Sequence, residues 1–141
     1  MKPEQLRTLY RRQSGWFAEE RNRLLRRVDI GRKRAVLDLG AGTGECLDEL
    51  RRRSGGFVTG VDAVVDVLRL AGGSRVATLA VELPFPGDTF DLVFTQMFFL
   101  WARPLDAVVS EVRRVLAPGG HLIAVAEPDY GGAIQFPESE N

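Results

Sequence analysis

Three glycines, Gly40, Gly42 and Gly44, stand between two acids, Asp38 and Asp62, in a sequence that reads VLDLGAGTG and, about twenty residues on, GVD. Glycines at alternate positions let a backbone turn tightly and come close to a ligand. A helix starting behind them would add free N–H groups and a partial positive charge. The dinucleotide fingerprint is spaced G-x-G-x-x-G, whereas this loop is spaced G-x-G-x-G and is preceded by a carboxylate. Asp38 at the mouth of the loop repels a pyrophosphate and suits an ammonium group. Asp62 is placed to accept both hydroxyls of a ribose. The ligand implied has a ribose and an amino group and need carry no phosphate. S-adenosylmethionine meets that description; NAD fits less well, and the glycine spacing is wrong for a dehydrogenase.

The elements that must position these residues follow from the hydrophobic pattern. Residues 35–39, 57–62, 75–81, 90–96 and 121–127 are short apolar runs, read as five strands. Helices are expected over 44–53, 63–71 and 103–116, the last with Leu105, Val108, Val109, Val112, Val115 and Leu116 on one face. APGG ends that helix, and ELPFPGD is a loop because two prolines and a glycine forbid regular structure. Alternating strands and helices predict an α/β doubly wound parallel sheet of the Rossmann-like kind. Unbroken apolar strands fit a sheet covered on both faces.

Ahead of this pattern, residues 3–28 read as helix, interrupted at Ser14-Gly15. Residues 1–34 hold eleven basic and four acidic side chains, so this segment is at about +7 and the remainder near −7, for a net charge of zero. Such a helix meets nucleic acid, an acidic partner, the acidic rest of the chain, or water. A single cysteine, Cys46, excludes an intrachain disulfide, and one histidine, His121, argues against a metal centre. The 141 residues are enough for one domain. The charged N-terminus has no signal-peptide pattern and the longest apolar run is too short to span a bilayer, so the expected location is the cytoplasm.

VLDLGAGTG, GVD at 60–62, ELPFPGDTFDLVF at 82–94, EVRRVLAPGG at 111–120 and AEPDYGG at 126–132 occur in an order that resembles the class I S-adenosylmethionine-dependent methyltransferases. Within them the chain is similar to the group that holds the ubiquinone and menaquinone methyltransferases. The resemblance covers about residues 34–136. It implies strand order 3-2-1-4-5 and a basic helical segment over 1–33 ahead of a cofactor-binding domain over 34–141. It also implies roles: Asp38 with Gly40, Ala41, Gly42, Thr43 and Gly44 on the amino-acid part of the cofactor, Asp62 on the ribose, and Ala63 and Val64 against the adenine. Glu82 and Leu83 would cover the adenine edge. Gln96 and Met97 would lie beside the sulfonium, with Trp101 near. Tyr10 and Trp16 would close over the site.

Two departures bear on function. Relatives often carry an aspartate four residues before the leucine of LPF; here that position is Leu79, with Glu82 the candidate substitute. Family members also continue into two further strands, so the expectation is a fold incomplete at its C-terminus, with strand 121–127 an apolar edge. That edge would be completed by a second polypeptide or by a second copy of the chain. TQMF follows the fourth strand where an Asn/Asp-Pro-Pro-Tyr motif would mark an amide or exocyclic-amine methylase, so the expected acceptor is small or lipophilic. Asp129 and Tyr130 are substrate candidates, whereas His121 and Cys46 read as strand-end and packing residues and no catalytic base stands out. The alternatives are a noncatalytic methyltransferase-like scaffold or regulator and, behind it, a nucleic-acid-directed methyltransferase.

Overall fold

The computed structural model describes residues 2–127; Asp129 and Tyr130 lie outside them. In chain order the elements are α1 (Pro3–Trp16), α2 (Ala18–Arg27), a 3-10 turn (Ile30–Arg32), β1 (Ala35–Leu39), α3 (Leu47–Arg53), β2 (Phe57–Asp62), α4 (Val65–Leu68), β3 (Arg75–Ala77), β4 (Phe90–Gln96), α5 (Leu105–Val115) and β5 (Leu116–Val125). All strand pairings are parallel and the order is β3-β2-β1-β4-β5, as the sequence predicts.

Side chains alternate across a strand, so each strand feeds two cores. Val36, Val58, Leu92, Phe94, Ile123 and Val125 pack with Leu25, Leu47, Leu50 and Leu68 on one face. Leu37, Leu39, Val61 and Val93 pack with Val112 and Val115 of α5 on the other. The same period places Asp38, Asp62 and Gln96 at the carboxyl ends of β1, β2 and β4 on the face that carries the N-terminal helices. Since β1 lies between β2 and β4, the three stand in a row about 5 Å apart per strand.

Several elements are shorter than the pattern predicts. α3 starts at Leu47 rather than at the glycines, because Gly42 and Gly44 hold left-handed φ of 53° and 86° and Gly44 N–H closes a turn on Ala41 O at 2.8 Å. The loop's own N–H groups at Gly40, Ala41, Gly42 and Gly44 are spent on Val61 O, Asp62 and Ala41 O, so its shape is set by internal bonds rather than by a helix start. β3 stops at Ala77, because Thr78 Oγ1 donates to Glu82 O at 3.0 Å and Glu82 N–H to Leu79 O at 3.1 Å, turning the apolar run TLAV away from the sheet. β5 begins directly after α5. Its ladder jumps from Phe90↔Leu116 to Leu92↔His121, so APGG forms a bulge inside the strand with Gly119 at φ 75°.

The loop after β3 is fastened to α5. Glu111 accepts the Leu83 N–H at 2.8 Å and is clasped by Arg114 through Nε at 2.6 Å and Nη2 at 2.8 Å; Arg114 also donates to Leu83 O and Phe85 O. Leu83 thereby enters the core beside Val112 and Val115, and the Phe85 ring meets Phe90 edge-on at 5.0 Å. The Arg114 hydrogen bonds, with the Leu83 N–H, push the Glu111 carboxyl down to about 2 against the opposing effect of desolvation. A carboxyl depressed in the folded state stabilises fully above about 4.5 and loses that contribution as pH falls toward 2. Glu111→Ala leaves the buried Leu83 N–H unpaired and is expected to lower stability by about 1–2 kcal/mol. Urea unfolding at pH 7 and pH 3 should show a smaller acid sensitivity in the variant than in the wild type.

Candidate functional site

A cavity of about 620 Å³ opens at the carboxyl ends of β1, β2 and β4, within the range of small-molecule sites. It brings together Asp38, Gly40, Ala41, Gly42, Thr43, Asp62, Ala63, Val64, Gln96, Met97, Trp101 and Tyr10. Four expected residues do not line it. Gly44 instead packs on Ala71, where a Cβ would come within 2.8 Å of the alanine Cβ. Leu83 is drawn into the core by Glu111 and Arg114, and Glu82 beside it is exposed; Thr78 and Ala80 take their place on that side of the cavity. Trp16 is 61% exposed. The face of α1 over the cavity runs through Leu6, Leu9, Tyr10, Gln13 and Ser14 and continues to Phe17, which leaves Trp16 about 100° off it.

Among the described residues Asp38 carries the one buried side-chain oxygen or nitrogen left without a partner. It is buried at 2% exposure, and its Oδ2 has no hydrogen-bond partner among the described residues. Burial first, and the charge of Asp62 second, push its carboxyl up to about 7, against the opposing pull of Arg51 and Arg21. An unpaired buried carboxylate is strongly unfavourable without a cation.

Asp62 is already engaged with its surroundings. Oδ2 accepts the Gly42 N–H at 2.9 Å and Oδ1 the Val64 N–H at 2.8 Å, so the carboxylate ties the glycine loop to the turn after β2. Each oxygen keeps a further lone pair. The loop is also anchored by Gly40 and Ala41 N–H groups, both donating to Val61 O at 2.9 Å. Gly40 sits at φ 77° with the Phe98 ring where a Cβ would be, 2.4 Å away, so any other residue there would drive the ring out.

At the far end of the cavity the expected Gln96 and Met97 are held in place by partners for which the sequence pattern gave no such role, Glu127 and Arg21. Met97 leaves β4 with φ at 54°, a left-handed conformation uncommon for methionine. It is held by its N–H on Val125 O at 3.0 Å and by Glu127, which accepts from Phe98 N–H and Phe99 N–H at 2.9 Å each and from Thr95 Oγ1 at 3.1 Å. From α2, the buried Arg21 donates to Glu49 at 2.7 Å, to Ser14 O at 3.0 Å and to Gln96 Oε1 at 2.9 Å. Its signal in the sequence is faint: an arginine four residues before Leu25, on the inward face of a helix otherwise crowded with surface arginines. Cys46, read as packing, is buried at the cavity floor. Its thiol lies 3.6 Å from both Ser14 Oγ and Gln96 Oε1 and is pushed up to about 12, chiefly by burial. It therefore stays protonated and is no nucleophile.

A glycine loop between two strand-end carboxylates, one lacking a counter-charge, defines a Rossmann-like site for a cationic nucleoside. A family model described as a methyltransferase domain matches residues 37–124. The chain therefore belongs to the methyltransferase domain family, which implies S-adenosylmethionine as its cofactor. A malonyl-[acyl-carrier protein] O-methyltransferase of Coxiella burnetii is 35% identical over 72% of this chain and 37% of its own length. A demethylmenaquinone methyltransferase of Thermus thermophilus is 34% identical over 73% of this chain and 53% of its own. The solved structure of the Pyrococcus horikoshii protein PH0226 superimposes with TM-score 0.69 at 30% identity, covering 82% of this chain and 57% of that one. The chain thus spans between 37% and 57% of the length of these relatives.

The residues present fit the cofactor. The orphaned Asp38 oxygen suits its ammonium, the spare lone pairs of Asp62 suit ribose hydroxyls, and the half-exposed Val64 offers an apolar surface for adenine. The Asp38 shift sets a sign. Its folded pKa lies above its unfolded value, so the ligand-free protein loses stability as pH rises from about 4 to about 7. A bound ammonium favours the ionised form, so binding releases a proton below pH 7 and tightens as pH rises toward it. Asp38→Asn is expected to raise the melting temperature of the free protein, flatten that pH dependence, and weaken binding of S-adenosylhomocysteine by about tenfold or more. Scanning calorimetry and isothermal titration across pH 5–8 read both effects.

Proposed function

We propose that this chain is the cofactor-binding part of an S-adenosylmethionine-dependent methyltransferase acting on a small or lipophilic acceptor. The observation that carries the reading is the unpaired Asp38 carboxylate beside the glycine loop, one strand from Asp62. When bound, the cofactor supplies a methyl group on a positively charged sulfur, which transfers by in-line displacement. The protein's work is then alignment and exclusion of water. Asp38 would hold the ammonium end of the cofactor and Asp62 its ribose. Gln96, Met97 and Trp101 line the side from which an acceptor approaches. α1 covers the opening with Leu6, Leu9 and Tyr10, and Arg7 and Arg11 hold it near Glu45 at 4.0 and 3.6 Å.

Completion of the sheet belongs to the same reading. Among the described residues β5 is an edge strand, and Leu122 on it and Leu105 and Val109 on α5 are 43–47% exposed. Apolar edges of that kind are normally covered. A second polypeptide, or a second copy of this chain pairing through β5, would cover it and wall the acceptor pocket. The exposed apolar surface also keeps a noncatalytic scaffold role as the second reading.

Isothermal titration separates the cofactor claim from its rivals. One S-adenosylhomocysteine per chain should bind, with no measurable binding of NAD, and Asp62→Ala should abolish the signal while leaving the fold intact by circular dichroism. Native mass spectrometry should show pairing that Leu122→Lys disrupts. Absence of cofactor binding in a folded wild-type chain would contradict the methyltransferase reading.

A further inference from the structure

Gln96 has a defined orientation. Its Oε1 lies 2.9 Å from Arg21 Nη1 and 3.6 Å from Cys46 Sγ. A guanidinium has donors only, and the protonated thiol is also a donor, so the atom they converge on is the oxygen. Arg21 cannot move away to release it, because Glu49 and the Ser14 carbonyl hold its other donors and its side chain is only 7% exposed. The amide therefore turns its Nε2 edge the other way. That edge has no protein partner among the described residues, and Gln96 lines the cavity.

Among the described residues, no side chain at this end of the cavity stands free as a base for an acceptor. The thiol of Cys46 stays protonated. Asp62 braces two backbone N–H groups and would keep its spare lone pairs for the ribose, Glu45 accepts from Thr43 Oγ1, and Asp38 would take the ammonium. Alcohols, phenols, thiols and ammonium groups must lose a proton to accept a methyl group, whereas a carboxylate is ionised at neutral pH. Leu6, Leu9, Phe98 and the 76% exposed Trp101 make the surroundings apolar.

We propose that Arg21 is a positioning residue that locks Gln96 with its N–H edge toward the acceptor, and that the acceptor is a carboxylate on an apolar body. This rests on the methyltransferase reading. Gln96 Nε2 donates to one carboxylate oxygen. A lone pair of the other forms the new O–CH₃ bond while the C–S bond to the cofactor breaks and its electron pair remains on sulfur. The products are a methyl ester and the neutral thioether, and no proton is transferred.

The test uses hexanoate as the probe, with hexan-1-ol and hexylamine as controls, on the 141-residue chain with and without S-adenosylhomocysteine. The readout is the side-chain amide signals of Gln96 in ¹⁵N–¹H spectra, assigned by their loss in Gln96→Glu. Hexanoate should shift those signals and bind about tenfold or more tightly than either control. Gln96→Glu retains a partner for Arg21 and so the fold, but it presents a carboxylate to the cavity. It should lose the preference for hexanoate over the two controls. Arg21→Lys, with one donor head for three partners, should reduce the preference severalfold. Label transferred from methyl-tritiated cofactor to hexanoate should be released as methanol by alkali. Equal binding of acid and alcohol, no shift of the Gln96 amide, or an unchanged preference in Gln96→Glu would overturn the proposal. Failure of S-adenosylhomocysteine to bind overturns the cofactor reading instead, and the titration without it still reads the orientation of Gln96.

Discussion

The structure is organised around a carboxylate that the protein alone does not satisfy. Asp38 ends the central strand of a parallel sheet, where both faces are covered and water is excluded, and one of its oxygens has no partner among the described residues. Burying such a group works against folding, so the surrounding architecture has to support it. The neighbouring strand brings Asp62, which raises the Asp38 pKa further and braces the glycine loop through Gly42. Arg21 and Arg51 oppose the penalty from a distance without forming a bond that would compete with a ligand. The result is a site that is stabilised by the arrival of a cation, and whose affinity and proton release are linked.

The other half of the site is held by clasps between elements distant in sequence. Glu127, at the end of β5, fixes the turn after β4 by accepting two successive N–H groups, and this in turn seats Phe98 over Gly40. Arg21 joins α2 to α3 through Glu49 and to β4 through Gln96, while α1 supplies part of the cavity wall, so the N-terminal helices are built into the site rather than appended to it. Glu111 and Arg114 do the same for the loop after β3, at the expense of the contact expected from Leu83.

The sheet was legible in the sequence because parallel strands buried on both faces are continuous apolar runs. β1, β2 and β4 fall where the pattern placed them. The lining of the cavity at the ends of β1 and β2 was legible because it rests on a contiguous loop and on acids at strand ends, positions that spacing reports. What spacing does not report is where a polar side chain finds its partner. Arg21 looks like its surface neighbours Arg23 and Arg26 until α2 is docked. TLAV at 78–81 resembles strand by composition, yet side-chain hydrogen bonds from Thr78 turn it aside. Leu83 could have faced ligand or core, and Glu111, twenty-eight residues away, decides for the core.

A crystal structure of the chain with S-adenosylhomocysteine tests the central claim most directly. The account predicts the ligand's ammonium within about 3 Å of Asp38 Oδ2 and its ribose hydroxyls on Asp62. A ligand bound elsewhere, or one lying in this cavity with Asp38 still unpaired, would contradict it.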